Sequence, residues 1–387
     1  MILNRCVLLI FVLLVNGCKT VPDLNAPIED LDKLVKQVKT NPSDIIAIHK
    51  QAKKTQRSIE LQVDNVNKLL GDLELVVNGV WGKQNSQEPS RKKYVKYSND
   101  YQARAIIDFD KNTVQVETIA TKHIKTLLTQ AIVMTLLTSS DPDKTDIFTS
   151  EAPSLGDEPF LYQQVLDQDG LPIKYHWRAN RFAQYLVNTN LQKKHSYGHL
   201  ITSVTFPLVA QNLHLRKQKY SDYVLASAKK YQISAALIYS IIETESSFNP
   251  YAVSSSNAYG LMQIIPATAG KDVYQRIKKV SGQPTKTVLF DPKNNIDIGT
   301  AYLSILKNNY LNKIWADTNK HYAMISSYNG GAGNVLRIFN SNRTIAFSEI
   351  NNLTASEFYL ILTTKHSRAE SRRYLEKVIM AEKKYQP

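Results

Sequence analysis

Glu245 is the residue whose surroundings first suggest chemistry. Ser234 is placed to cap a helix running from Ala235 to about Ser246, because its hydroxyl can accept a hydrogen bond from an unpaired first-turn N–H. The apolar stripe of that helix is Leu237, Ile238, Ile241 and Ile242. Glu245 continues the stripe at i+7, i+4 and i+3 from Ile238, Ile241 and Ile242. A carboxyl on an apolar stripe loses solvent, which favours its neutral form and raises its pKa. A general acid acting on an ether-like leaving oxygen needs this condition: it must keep its proton near neutrality and release it in the transition state. Glu243, roughly 200° around the helix from Glu245, is expected to be a solvated surface charge. Periodicity alone leaves a second reading of Glu245 open, a helix-end carboxylate that swings to water.

Other constellations are weaker. His195 and His199 have the i, i+4 spacing of a zinc pair, but Gly198 and the loop-like surroundings disfavour a helix, and no acidic partner follows in register. Two cysteines exclude a cysteine-built zinc site or a disulfide framework. No metal and no cofactor are expected. There is no Ser-His-Asp set with a nucleophile elbow. Gly330-Gly331-Ala332-Gly333 lacks the lysine and preceding strand of a phosphate cradle and reads as a turn. After Glu245 the available aspartates are Asp272, Asp291, Asp297 and Asp317. Asp291 precedes Pro292 at a helix start, Asp297 sits in a helical pattern, and Asp272 follows Lys271 on a surface-like run. None stands in a motif that demands a second catalytic carboxyl.

The wording around Glu245 narrows the choice. Glu245-Ser246-Ser247-Phe248-Asn249-Pro250-Tyr251-Ala252-Val253-Ser254 leads into Ala258-Tyr259-Gly260-Leu261-Met262-Gln263, with Pro266 and Thr268 beyond. Gly299-Thr300-Ala301-Tyr302-Leu303, Ser327-Tyr328-Asn329-Gly330-Gly331 and Glu370-Ser371-Arg372-Arg373-Tyr374 follow in order. Over roughly residues 220–382 the chain resembles the catalytic domain of family 1 lytic transglycosylases, whose goose-lysozyme-like, mostly helical fold cleaves peptidoglycan. Two positions depart from the family's usual wording. Asn257-Ala258-Tyr259 stands where Gly-Ala is common, and Ser327 replaces an alanine before Tyr328.

The resemblance implies that Glu245 is the single catalytic acid/base. It implies that Met262 and Gln263 line the cleft beside it, that Tyr302, Tyr328 and Asn329 surround the scissile sugar, and that Tyr374 is a cleft tyrosine. Ser254 is either a hydrogen-bonding neighbour of the site or a turn residue. Met262 has a plainer reading as core filler, and the tyrosines as packed rings with hydroxyls on backbone groups. The family's reaction protonates the bond between N-acetylmuramic acid and N-acetylglucosamine, then closes the muramyl C6 hydroxyl onto C1 to give a 1,6-anhydromuropeptide. Two other readings stand beside it: a hydrolytic muramidase on the same fold, and a wall-binding lipoprotein without catalysis.

The elements that must position these residues fall into two parts. Residues 24–85 read as helical and polar, with Ile28, Leu31, Leu34 and Val35 and then Leu61, Val63, Val66, Leu69, Leu70 and Leu73 at helical spacing. From Tyr94 to Ile119 the period becomes two: Ala105, Ile107 and Phe109 alternate, Asp110-Lys111-Asn112 turns, and Val114, Val116 and Thr118 run back. A helix is predicted over Ile124 to Leu137, closed by Ser139-Ser140-Asp141-Pro142. Residues 141–180, rich in Asp, Pro and Gly, read as long irregular loops, and Leu200 to Leu208 as a returning strand. Beyond about residue 215 helical patterns dominate. The expected class is α+β: a signal segment at 1–17, an α+β domain at 18–215, and a mainly helical catalytic domain at 216–387.

Charge and the first residues select the partner. The chain has 48 basic and 34 acidic residues, a net charge of +14; +11 of it, with 14 of the 21 tyrosines, lies from Arg216 onward. A basic, tyrosine-rich module suits an anionic sugar polymer, because rings stack on sugar faces while cations attract carboxylates; composition alone would suit nucleic acid equally. Arg5, the apolar run Cys6 to Val15, and Val15-Asn16-Gly17-Cys18 decide between them. They resemble a bacterial lipoprotein signal in which Cys18 is lipidated and becomes the first mature residue. Lys19 is compatible with sorting to the outer membrane. The expected partners are peptidoglycan glycan strands and the outer membrane through a lipid anchor, with other cell-wall enzymes as further candidates and no nucleic acid.

Overall fold

The computed structural model describes residues 66–155 and 158–386. The signal run, Cys18 and the helical pattern before Val66 lie outside them. Helix α1 (Val66–Trp81) opens the described chain. Strands β1 (Lys93–Ser98), β2 (Ala103–Asp108) and β3 (Thr113–Thr118) follow as an antiparallel meander. Helix α2 (Ile124–Leu137) occupies the residues its periodicity predicts. After α3 (His176–Thr189) come β4 (Gln192–Ser196) and β5 (His199–Pro207), which complete a sheet of order β1-β2-β3-β5-β4.

The sheet is covered on both faces. Tyr94, Ala105, Ile107, Val114, Val116, Val204 and Phe206 pack toward α2 and α3. Val95, Tyr97, Ile106 and Ile201 meet Leu73, Val77 and Trp81 of α1 on the other side. Side chains alternate faces along a strand, so cover on both sides buries β2 from Ala103 to Ile107, with Arg104 as its one buried charge.

Two elements were not expected. α3 begins inside the span read as irregular, because its buried residues, Ala179, Phe182, Ala183, Leu186 and Val187, form a narrow stripe diluted by polar neighbours. β4 has almost no apolar signal. It is an exposed edge strand carrying Lys193 and Lys194, a composition that discourages pairing with another chain. His195 and His199 sit in the β4–β5 hairpin, where His195 faces Leu200 and His199 faces Ser196.

The helical half follows. It contains α4 (Asn212–Lys219), α5 (Ser221–Tyr231), α6 (Ala235–Ser246), the small hairpin β6 (Val253–Ser254) and β7 (Ala258–Tyr259), α7 (Lys286–Phe290) and α8 (Pro292–Ile305). It ends with α9 (Asp317–Gly330), α10 (Ala332–Arg337), α11 (Arg343–Asn351), α12 (Ala355–Lys365) and α13 (Ala369–Glu382). α6 packs on α13, α13 on α9, and α5 on α8.

One apolar core runs from the sheet into these helices. Tyr251 joins the halves: its ring lies 5.0 Å from Tyr94 and 5.7 Å from Phe160, and its hydroxyl donates to the Ser139 carbonyl at 2.7 Å. Residues 215 and 216 lie inside α4. Arg216 is buried against the first half, with its guanidinium 4.5 Å from the Phe109 ring.

Candidate active site

Helix α6 starts as its sequence predicts, with the Ser234 hydroxyl accepting from Leu237 N–H at 3.4 Å. Leu237, Ile238, Ile241 and Ile242 are all buried, and Glu245, at the end of their stripe, is 5% exposed. The helix stops where Ser247 and Phe248 adopt left-handed conformations in succession (φ 50° and 61°). Ser246 holds the neighbouring loop: its hydroxyl lies 3.0 Å from the Ile242 carbonyl and 2.7 Å from that of Leu261.

That loop is built around Gly260 and Asn295. Gly260 has φ +72°, and a Cβ there would lie 2.4 Å from Asn295 Nδ2 and 2.5 Å from the Leu289 carbonyl, so no other residue fits. Asn295, fully buried on α8, donates to the Tyr259 and Leu289 carbonyls (2.8 and 2.7 Å) and accepts from Met262 N–H (2.7 Å). Met262 is gripped a second way, because its sulfur packs over Gly299, where a Cβ would approach to 2.4 Å. Tyr328 on α9 donates to the Met262 carbonyl at 2.8 Å.

The remaining predicted residues gather at the same place with one exception. Gln263, also left-handed (φ 50°), donates from Nε2 to the Gly260 carbonyl at 3.1 Å. Its buried Oε1 has no partner among the described residues. The Tyr302 ring is 5.7 Å from that of Tyr328. Asn329 accepts from the Ser371 hydroxyl at 2.7 Å, which ties α9 to α13. Tyr374 is buried on α13, and its hydroxyl lies close enough to Glu245 to lower the carboxyl's pKa without a hydrogen bond of normal geometry among the described residues. The exception is Ser254. It pairs with Ala258 across the β6–β7 turn, and its carbonyl accepts from Asn257 N–H at 3.0 Å, as a turn residue would.

Burial dominates the electrostatics. It pushes the Glu245 carboxyl up to about 7, against the lowering effects of Tyr374 and Arg91, and the nearby Glu370 adds to the rise. Burial likewise raises Tyr328 and Tyr374 well above the usual phenol value, with the Glu245 charge acting in the same direction, so both stay neutral across the working range.

Arg91 carries no signal in the sequence and is 154 positions from Glu245. It precedes β1 and reaches into the site, with Nη1 3.4 Å from Glu245 Oε2 and Nη2 2.9 Å from Glu370 Oε1. Its carbonyl accepts from Asn249 Nδ2 at 3.2 Å. Glu370 and Tyr374, four residues apart on α13, present one helix face to this arginine and to Glu245.

Glu243 differs from expectation. Its side chain is 16% exposed and is held by Lys384 Nζ at 2.6 Å and by the Tyr385 hydroxyl, because the chain beyond α13 folds back over that face of α6. The aspartates are committed elsewhere. Asp291 caps α8 through Asn294 N–H (2.7 Å), Asp297 is held by Lys230 and Lys278 (2.6 and 3.0 Å), and Asp272 accepts from the Tyr310 hydroxyl (2.8 Å). Asp317 lies in the first turn of α9. The carboxylate that does stand near Glu245 is Glu370, on the last of the sequence motifs.

Both halves of the chain match known proteins. Residues 33–219 match the family described as membrane-bound lytic murein transglycosylase C, N-terminal domain, and residues 222–351 match the transglycosylase SLT domain. Membrane-bound lytic murein transglycosylase C of Yersinia enterocolitica is 49% identical over 318 residues, covering 82% of this chain and 88% of its own. The Serratia proteamaculans protein of the same name matches at the same identity and coverage. Among solved structures, the 70 kDa soluble lytic transglycosylase of Escherichia coli aligns with 43% of this chain and 24% of its own at 26% identity. Its TM-score is 0.33, too low to bear on the fold.

Proposed function

This chain belongs to the membrane-bound lytic murein transglycosylase C family, and from that premise we propose that Glu245 alone serves as general acid and then general base in cutting the β-1,4 bond between N-acetylmuramic acid and N-acetylglucosamine. The chain is an enzyme, a lytic transglycosylase acting on peptidoglycan. The observation that carries the finer reading is the burial of Glu245 at the end of an apolar stripe, which pushes its carboxyl up to about 7.

The steps balance on one carboxyl. Glu245 gives its proton to the glycosidic oxygen as the bond from muramyl C1 breaks and the glucosamine leaves. The muramyl C6 hydroxyl then bonds to C1 and passes its proton to the Glu245 carboxylate, which restores the acid. No water is consumed, and the product is a 1,6-anhydromuropeptide. Ordinary glycosidases use two carboxylates. An intramolecular hydroxyl has a very high effective concentration, so it can replace the second.

Gln263 Oε1, buried and unpartnered among the described residues, offers an acceptor to a sugar N–H or O–H. Tyr302, Tyr328, Asn329 and Tyr374 surround the sugar in this reading, and Met262 shapes the wall behind Glu245. Hydrolysis has one observation in its favour: Glu370 stands across Arg91 and could hold a water. The lipid anchor at Cys18 and residence at the outer membrane, facing the periplasm, belong to the same proposal. No helix among the described residues is long and apolar enough to cross a membrane.

The test is digestion of purified sacculi by protein beginning after Cys18, with Glu245→Gln alongside, followed by borohydride treatment and mass measurement. Muropeptides one water lighter than hydrolysis products and resistant to reduction support the reading. Reducible products make the enzyme a hydrolase and direct attention to Glu370. No products with retained binding to the wall leave a binding protein.

A further inference from the structure

The proposed reaction asks opposite things of Glu245, which must first hold a proton and then accept one. Burial serves the first demand and opposes the second, because a carboxylate formed in an apolar site needs a counter-charge. The charged groups that face Glu245 are Arg91, from the segment before β1, and Glu370, on α13; Tyr374 on α13 and Tyr328 on α9 face it as neutral phenols.

Arg91 is held at both ends of its guanidinium and at its backbone. Nη2 takes the shorter contact, 2.9 Å to Glu370, and Nη1 the longer, 3.4 Å to Glu245. Asn249, four residues after the proposed acid, fixes the Arg91 carbonyl at 3.2 Å. The Arg91 side chain is 40% exposed while that of Glu245 is 6% exposed, so the arginine keeps contact with water where the acid has almost none. A guanidinium engaged only by Glu245 would hold it as the anion and spoil the acid step. With its better contact on Glu370, Arg91 is drawn away from the protonated acid and is in reach when the carboxylate forms.

We infer that Arg91 is a positioning residue for the reaction: strung between Glu370 and Glu245, it shares one positive charge between two carboxylates and so sets the balance between the acid and base forms of Glu245. The assignment rests on the reading of Glu245 as the acid. It gives the amino-terminal half a part in catalysis, since Arg91 arrives with β1 rather than with the helical half.

The test is the pH dependence of kcat/KM for the full-length protein in detergent on purified sacculi, between about pH 5 and 9. The alkaline limb then reports loss of the proton from Glu245 in the free enzyme. Arg91→Gln removes the charge that favours the carboxylate, so its limb moves to higher pH. Glu370→Gln removes the competing carboxylate and leaves Arg91 to Glu245, so its limb moves lower. Each shift is expected at about half to one pH unit, because a neighbouring opposite charge moves a carboxyl by about one to three units and Arg91 is partly screened by water. Arg91→Lys keeps the charge and returns the limb toward the wild-type position.

A structural role would lower the rate without moving the limb. Limbs unmoved in both Arg91→Gln and Glu370→Gln, with Glu245→Gln inactive, overturn the assignment. An active Glu245→Gln instead removes the reading of Glu245 on which it rests. Glu370→Gln changes an exposed side chain, so the charge balance is read even where Arg91→Gln folds poorly.

Discussion

Glu117 in β3 and Glu245 at the end of α6 are 7% and 5% exposed, and each meets an arginine; they differ in how far that arginine is committed. Arg104 faces Glu117 directly across the β2–β3 ladder and is itself 3% exposed. It places Nε and Nη2 2.7 and 2.6 Å from Glu117 Oε2, gives Nη1 to the Asn85 carbonyl, and lies 3.8 Å over the Trp81 ring. Gln115 occupies the other carboxylate oxygen at 2.6 Å. That site is closed: both charges are fully partnered by short contacts. Arg91 is partly exposed, makes one longer contact to Glu245, and is tied more closely to another carboxylate. Burial therefore does not make an acid by itself. A buried glutamate keeps a mobile proton when its counter-charge is incomplete.

The strongest way to break this comparison is to remove the mobile proton. Glu245→Gln is expected to lose cleavage of sacculi by at least about a hundredfold, the scale of a lost general acid. Its circular dichroism and wall binding should stay unchanged, and substantial residual release of muropeptides would end the distinction between the two glutamates.

The closed site should fail differently. Arg104→Met leaves Glu117 buried without its counter-charge, and denaturant unfolding should report a loss of about 3–5 kcal/mol. Arg104→Met with Glu117→Leu should recover much of that loss, with the pH profile of cleavage unmoved in both. Arg91→Gln, at a partly exposed pair, should cost less than about 1 kcal/mol in the same assay.

Stability against pH sharpens the contrast. The folded Glu245 carboxyl titrates near 7 and the unfolded one near 4.5, so the folded state prefers the proton. The stability gained this way is fully present below the unfolded value and is lost as pH rises through the folded one. Glu245→Gln has no such loss. Its stability relative to wild type should grow between about pH 5 and 8, toward about 3 kcal/mol, as thermal unfolding across that range would show.

The smallest effect concerns the support around the acid. Tyr328→Phe removes the hydrogen bond to the Met262 carbonyl and should cost about 1 kcal/mol of stability. If the hydroxyl touches substrate as well, kcat/KM will fall further than this loss of support explains.

Much of the site was legible because its signals are local. The period of α6, its Ser234 cap and the stripe ending at Glu245 lie within thirteen consecutive residues. The ordered motifs around Gln263, Tyr328 and Tyr374 supplied the rest of the proposed set. α3 and β4 were not legible, since one dilutes its apolar stripe and the other is an edge strand of polar residues. Ser246 and Asn295 illustrate the middle ground. Ser246 lay in a quoted motif, and Asn295 carried no signal at all, but only packing showed that both hold the Gly260–Gln263 loop.

What the sequence determined alone is the buried carboxyl proposed as the acid and the class of its surroundings: a carboxyl on an apolar helix face is desolvated wherever that helix packs. The partners of that carboxyl were decided by tertiary structure. Arg91 lies far along the chain from both glutamates it touches, in a segment without periodicity, and electrostatic balance depends on distance in space. Glu243 makes the same point in reverse: its helical position predicted solvent, and the returning end of the chain brought it Lys384 and Tyr385. Periodicity tells which face of an element turns inward; it carries no information on what another part of the chain will bring to meet it.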